Sequence, residues 1–410
     1  MSDVAPVGPS HRIKSLDVVR GLALLGILAV NAAYFAAPWQ TGFDPTLPPL
    51  AVDETSLWSW FVMHVFFEFK MITLFSLLFG VSIYLVGGER SDQARGAVLH
   101  RRLFWLLIFG LIHALLIWYG DILVTYAITG FVVMFARSWK PRTLLTVGVV
   151  LYVLSVLLQN MLGLFFDLIP AGKADAIRSE MAAVFSLTEE EFLRMQAAYQ
   201  GGLVSGLKEN AGTWVTFIAN AVFGLVVRTA AVMMIGMALF KWGFLSGNAP
   251  KWLYGLMIAL GAAALALVAW QAWLNWEARF EIMHMMTRGS FMNSAVSIFV
   301  SIGYASALVL LLKAGARFLT EPLAAVGRMA FTNYLMQSLI MTTIFYGGRG
   351  FGLWGEVDRP TLWAIVLAVW ALELIWSPLW LARFQMGPFE WIWRRLSYAK
   401  PVQMAKPAAA

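Results

Sequence analysis

Ten stretches of this chain are apolar for long enough, or nearly long enough, to cross a bilayer. No other feature restricts its fold as much. A transmembrane helix needs roughly 20 mostly apolar residues. The stretches lie at about 17–37, 57–87, 103–119, 122–136, 143–163, 213–240, 252–276, 291–312, 329–346 and 361–381. Inside hydrocarbon a backbone must satisfy its own polar groups, and a helix does so within one segment. The predicted fold class is therefore all-α: a polytopic membrane protein of about ten transmembrane helices in one bundle. Composition points the same way. The chain is 60% hydrophobic and 13% charged, against about 25% charged for an ordinary soluble domain. Its 19 Trp and 29 Phe match the aromatic load of membrane interfaces. The absence of cysteine excludes a disulfide framework, a thiolate nucleophile and a cysteine metal site. No metal site is expected.

The distribution of Lys and Arg predicts orientation. With the N-terminus inside, 19 of the 30 Lys and Arg fall in inner segments and eight in outer ones. Arg20, Lys70 and Arg228 lie within spans. The positive-inside rule therefore places both chain ends in the cytoplasm. The net charge of +7 reflects that loop bias, and no nucleic-acid partner is expected. The first apolar run has a polar leader and no small-residue cleavage pattern, so it reads as a retained helix. The predicted organisation is a cytoplasmic segment 1–16, a membrane domain 17–398 with an outer insertion at about 164–212, and a disordered cytoplasmic tail 399–410. Within the insertion, "SLTEEEFLRMQAAYQ" predicts a short amphipathic helix, Ser186 and Glu189 having capping-box spacing.

Charged and ionisable groups inside spans are costly, which makes them functional candidates. Arg20 and Asn31 are eleven residues apart, about three helical turns, and share a face. Asp17, one turn before Arg20, can pair with it. Snorkelling of Arg20 and an interhelical hydrogen bond from Asn31 are the structural alternatives. His64 and Glu68 are four apart on one face of span 2. Glu68 can orient His64 or pair with Lys70. The run "RRLFWLLIFGLIHALLIWYGDIL", from Arg101 to Leu123, is apolar except for His113 until it reaches Tyr119-Gly120-Asp121. An imidazole titrates near neutrality and can act as a base, or it can simply hydrogen-bond a neighbouring helix. Asp121 can cap the next helix or accept from the ring of His113. Arg228 and Glu373 can pair with each other or with Arg20.

Five segments, "RIKSLDVVRGLALLGILAVN", "FKMITLFSLLFG", "GLIHALLIWYGDILVTYAITG", "GRMAFTNYLMQSLI" and "GPFEWIWRRLSY", resemble the YeiB-like bacterial inner-membrane proteins (domain of unknown function 418). They occur in the family's order across almost the whole chain. More distantly, the chain is similar to the transmembrane acyltransferase superfamily. That includes the acyltransferase-three enzymes of cell-envelope sugars and the lysosomal heparan-α-glucosaminide acetyltransferase. The resemblance implies about ten helices in the inner membrane. It also implies transfer of an acyl group from cytoplasmic acyl-CoA to an unknown extracytoplasmic acceptor, such as an envelope sugar or lipid. Acyltransferase-three enzymes pair a basic residue with a histidine eleven positions later. Here Arg20 is followed by Asn31, the pattern of the heparan-type enzymes.

On this basis His113 is the expected general base, Asp121 orients its imidazole and Asn31 helps to hold the oxyanion. Arg20, Arg101 and Arg102 would take the phosphates of the donor, and Glu68 and Lys70 would enter the site from span 2. Acyl-CoA is a donor substrate, and no permanently bound cofactor is expected. Membrane lipids surround the bundle, and monomer and homo-oligomer remain open. Two other classes fit the same residues. One is a transporter of a small molecule or ion, with a polar path lined by Arg20, His113 and Asp121. The other is a structural or regulatory membrane protein.

Overall fold

The computed structural model describes residues 12–51 and 53–406. Most of the N-terminal segment, and the end of the tail from 407, lie outside the described residues. The helices in chain order are α1 Lys14–Ala36, α2 Glu54–Phe66, α3 Lys70–Gly87, α4 Gln93–Leu116, α5 Leu123–Val133, α6 Pro141–Gln159, α7 Met161–Phe165, α8 Ala171–Phe185 and α9 Glu189–Gln200. They continue with α10 Leu203–Lys241, α11 Lys251–Glu277, α12 Ile282–His284, α13 Phe291–Lys313, α14 Arg317–Arg328, α15 Ala330–Phe345, α16 Arg359–Arg383 and α17 Pro388–Tyr398. Among the described residues the protein is all-α, apart from one isolated bridge between Phe384 and Ala405.

Eight segments are long and apolar enough to cross a membrane: α1, α2 with α3, α4, α6, α10, α11, α13 and α16. The stretches expected at 122–136 and 329–346 form the shorter helices Leu123–Ala136 and α15. The surface explains why these helices need lipid. Val150 and Leu157 of α6, Leu267 and Trp270 of α11, and Leu367, Ile375 and Leu379 of α16 are exposed. The interior is apolar as well, but it also holds hydroxyls and amides, including Asn293, Ser294, Ser297, Ser301 and Ser306 on α13, all buried. An apolar exterior around hydroxyl- and amide-bearing contacts is the arrangement of a protein dissolved in hydrocarbon.

Local chemistry sets several helix starts. Asp53, Asp92 and Asp358 each accept the backbone N–H three residues on, at 3.1, 3.0 and 2.9 Å. Pro141 opens α6, where its missing N–H costs nothing. The capping box in the insertion lies two residues along from its predicted place. Thr188 caps α9 and Glu191 reciprocates, because a Thr hydroxyl serves as well as Ser186 and starts the helix nearer its apolar face. The insertion holds two helices, α8 and α9, and α10 begins ten residues before its predicted start. Residues 399–406 run back along the end of α16. Gln385 N–H donates to Met404 O at 2.9 Å and Lys406 N–H to Arg383 O at 3.1 Å.

Two crossings depend on glycine. Gly80 of α3 and Gly236 of α10 lie against each other's helix, and a Cβ on either would overlap the carbonyl of Met233 or Leu77. Gly21 of α1 and Gly327 of α14 meet Leu323 O and Asp17 O in the same way. Small residues permit this close backbone approach. The second crossing brings Arg20 and Arg328 to one end of the bundle.

Candidate functional site

The turn after α4 creates the central feature. The helix ends at Leu116, and its last carbonyls are taken up from elsewhere in the chain. Asn210 Nδ2 of α10 donates to Ala114 O at 2.7 Å, and Arg349 donates to Ile117 O at 2.8 Å and to Leu116 O. This satisfies groups that a helix end leaves open. The chain can then fold back through Tyr119-Gly120, which brings Asp121 under α4. Asp121 Oδ1 lies 2.9 Å from His113 Nδ1, and its Oδ2 accepts from Val124 N–H at 2.8 Å, capping α5. The two roles expected as alternatives for Asp121 are filled together, one by each oxygen.

The other ring nitrogen, Nε2, lies 2.8 Å from the hydroxyl of Ser338 on α15. As a carboxylate Asp121 only accepts, so Nδ1 carries the ring proton. In the neutral ring Nε2 is then the lone-pair nitrogen, to which Ser338 donates. The hydrogen-bond network thus assigns an order of serine, histidine and aspartate. His113, Asp121 and Ser338 are at most 4% exposed. Tyr334 packs on the imidazole with ring centroids 5.1 Å apart, and Trp118 meets its edge at 6.4 Å.

A cavity of about 270 Å³ leads toward this group. At one end it is walled by Arg12, Arg20, Arg102, Arg328 and Arg394, with Asp17 and Glu390 the only carboxylates in its lining among the described residues. At the other it reaches Ile122, Tyr126 and Tyr334. Along α1 it extends from Leu16 to Ile27, about 16 Å of helix rise. Arg20 is held by Asp17 at 2.9 Å and by Gly327 O at 3.3 Å. The Arg102 guanidinium lies over Trp393, its carbon 3.7 Å from the ring centre, a cation–π contact. Glu390 is committed to the start of α15, accepting the N–H groups of Phe331 and Thr332 at 2.7 and 3.0 Å. Burial pushes its carboxyl upward. Burial, followed by the like charge of Arg12, pushes Arg394 down. The mouth therefore holds more positive charge than its carboxylates balance, a setting that an anion would relieve.

Other site residues predicted from sequence are placed differently. Arg101 does not line this cavity; its Nε donates to Ser397 O at 2.8 Å and fastens α17. Asn31 is half-buried and makes no side-chain hydrogen bond, to His113 or to any other residue, among the described residues. Glu68 and Lys70 belong to a second cluster. The span expected at 57–87 breaks between α2 and α3, with Phe69 in the left-handed region at φ 62°. At the break Glu68 pairs with His64 Nδ1. Lys70 Nζ, fully buried, donates to His64 O at 2.9 Å and to Asn293 Oδ1 of α13. Asn293 Nδ2 reaches Glu68 at 3.4 Å. Glu68 thus orients His64 and also shares Asn293 with Lys70.

Arg228 and Glu373 do not pair. Arg228 donates to Ser294 O at 2.9 Å, and Glu373 accepts from Gln337 at 3.0 Å. Gln337 and its neighbour Ser338 are the residues that sequence reasoning passed over. α15 carries two polar stripes at i, i+4 spacing. Asn333 and Gln337 face Ser377 and Glu373 of α16, while Tyr334 and Ser338 face His113. That spacing within an apolar run was the available signal.

These features define a polytopic helical membrane protein with a basic cavity and a buried polar relay. The chain belongs to the DUF418 family. The family model described as "Protein of unknown function (DUF418)" matches residues 239–400. The uncharacterized protein YxaH of Bacillus subtilis (strain 168) is 31% identical over 434 residues, covering 99% of each chain. The uncharacterized protein YeiB of Escherichia coli (strain K12) is 32% identical over 398 residues, covering 94% of this chain and 96% of its own. An uncharacterized 39.9 kDa protein in the amylase 3' region of Bacillus acidopullulyticus is 26% identical over 409 residues, covering 98% and 99%. No solved structure matches the chain.

Proposed function

We propose that the protein is a membrane-embedded acyltransferase. It takes an acyl group from cytoplasmic acyl-CoA and passes it to an extracytoplasmic acceptor, an envelope sugar or lipid, in the bacterial inner membrane. The cavity carries this reading. Five arginines at its mouth suit the phosphates of a CoA nucleotide, which guanidinium groups bind as charge-assisted, bidentate partners. The apolar walls beyond suit a thin pantetheine arm. The far end meets Tyr334, one helical turn from Ser338 and in contact with His113. His113 has the lone-pair nitrogen of a general base, and Asp121 fixes its tautomer. As the acceptor bonds to the acyl carbon it gives up a proton to that nitrogen, the carbon–sulfur bond breaks, and the leaving thiolate takes the proton from the imidazolium as free CoA.

One observation favours a second reading, transport of a small molecule or ion. The break between α2 and α3 puts Glu68 on irregular backbone inside a span, beside His64 near the end of α2 and Lys70 at the start of α3, a recurrent design of transporters. The two readings separate in one experiment. Purified protein in lipid nanodiscs is mixed with labelled acetyl-CoA and longer acyl-CoA, and binding and release of free CoA are followed. Saturable binding with thioester cleavage on adding envelope lipid extract is the expected result. Absence of binding by any acyl-CoA, together with solute uptake into proteoliposomes, replaces the enzyme with the transporter.

A further inference from the structure

We propose that Ser338 is a nucleophile, so that the acyl group passes through a covalent acyl-Ser338 intermediate before it reaches the acceptor. The inference rests on the acyltransferase reading for its donor, but its geometry stands apart from it. A membrane helix has little need to align three polar groups from separate elements in this order. Asp121 Oδ1 holds His113 Nδ1, and His113 Nε2 holds the Ser338 hydroxyl, at 2.9 and 2.8 Å. Asp121 is itself fixed by Val124 N–H. The serine lies 225 positions from the histidine, so only the tertiary fold joins them. This is the arrangement of a nucleophile, its base and the group that orients the base, which is recognised by geometry and not by chain order.

The alternative partner of Ser338 is weaker. Its hydroxyl is 3.3 Å from Tyr334 O, one turn back, so the shorter contact is with the imidazole. Tyr334 lines the cavity, which puts the end of that cavity one turn from the hydroxyl. Burial also fits an acyl-serine, because a site closed to water protects an ester from hydrolysis until the acceptor arrives.

The steps balance. His113 Nε2 takes the hydroxyl proton as Ser338 Oγ bonds to the thioester carbonyl carbon. The carbon–sulfur bond breaks, and the leaving thiolate takes the proton back from the imidazolium as free CoA. In the second half an acceptor hydroxyl gives its proton to Nε2 and bonds to the acyl carbon. The Oγ–carbon bond breaks, and Ser338 recovers the proton.

Two reagents test the assignment. A membrane-permeant fluorophosphonate reacts with activated serines and contains no CoA. Labelled acyl-CoA, given without acceptor, reports the intermediate by a mass gain equal to the acyl group. Both are applied to full-length protein in nanodiscs, and the modified peptide is mapped. The expected result is modification at Ser338 by both, lost in Ser338→Ala and reduced at least about a hundredfold in His113→Gln. Fluorophosphonate labelling of Ser338 without acyl-CoA labelling keeps the nucleophile and removes the acyl-CoA donor. Acyl transfer that continues undiminished in Ser338→Ala, with no modified Ser338 from either reagent, overturns the nucleophile and leaves the donor reading intact. Absence of both labels and of any transfer overturns both. Ser338→Cys guards against misfolding as the cause of loss, since a thiol in the same relay is still acylated if the assignment is right.

Discussion

His113 shows what a single residue reveals before and after folding. An imidazole in an apolar run, eight positions from an aspartate, shares no helix face with it. The pair was legible only because Tyr119-Gly120 marks a turn, and they do meet, at 2.9 Å. Ser338 was legible only as one member of a polar i, i+4 stripe with Tyr334; nothing local to "NYLMQSLI" points to a histidine 225 positions away. On the proposed reading, His113→Gln keeps a hydrogen bond to Ser338 and removes the base. Acyl transfer should fall at least about a hundredfold while CoA binding survives. His64→Gln, in the other cluster, should cost much less. A reversed ranking in a turnover assay moves the chemistry to the His64–Glu68 pair. Arg20 offers the matching test at the cavity mouth. Arg20→Ala should weaken acyl-CoA affinity with the fold intact, and Arg20→Lys should restore it only in part, a point charge replacing a planar fork. Unchanged affinity measured by titration calorimetry leaves Arg20 as the partner of Asp17 and Gly327 alone.

Elements were easier to find than their joints. Hydrophobic runs located every long span because a bilayer leaves few other choices for such a sequence. The break at Phe67–Phe69 was hidden, since its residues are as apolar as their surroundings and only Glu68 and Lys70 differ. α14 and α17 were also missed as elements. They are short amphipathic helices whose charge reads as loop, yet they supply Arg328, Glu390 and Arg394 to the cavity. Helix contacts make a sharper prediction. Gly236→Leu drives a side chain into the Leu77 carbonyl at the α3–α10 crossing. Backbone cannot yield as a side chain does, so the cost should exceed the ~1–3 kcal/mol of ordinary overpacking. A Cβ at Gly255 of α11 would meet nothing within 4 Å. Gly255→Leu should leave stability unchanged or improve it, by up to ~1 kcal/mol from helix propensity. Thermal unfolding of the two variants in one detergent decides whether α3 and α10 truly touch there. Equal midpoints would separate them.

The whole molecule has two distinct ends. α1 runs 23 residues from Lys14 to Ala36, a rise of about 35 Å, so its termini lie on opposite sides of a bilayer-thick bundle. At its start Arg12 and Arg394 line one cavity, so the first described residues and the last helix share an end. At its finish Ala36 O accepts from Gly355 N–H, Gln200 of α9 donates to Trp354 O, and Trp39 packs on Phe185 of α8. The insertion therefore belongs to the other end. The fold alone fixes this separation, but it does not say which end faces the cytoplasm. By the positive-inside rule the excess of Lys and Arg predicts the Arg12 end inside, and the acyltransferase reading needs it there, because acyl-CoA is on that side. Reporter fusions settle both points. A phosphatase active only outside should be active after Ser186 and silent after Lys400, and a fluorescent protein that matures only inside should show the reverse. The same side for both positions contradicts the bundle. Opposite sides with Ser186 inside keep the bundle but turn the arginine mouth outward, away from cytoplasmic acyl-CoA, and the cavity would then need an anionic ligand from outside the cell.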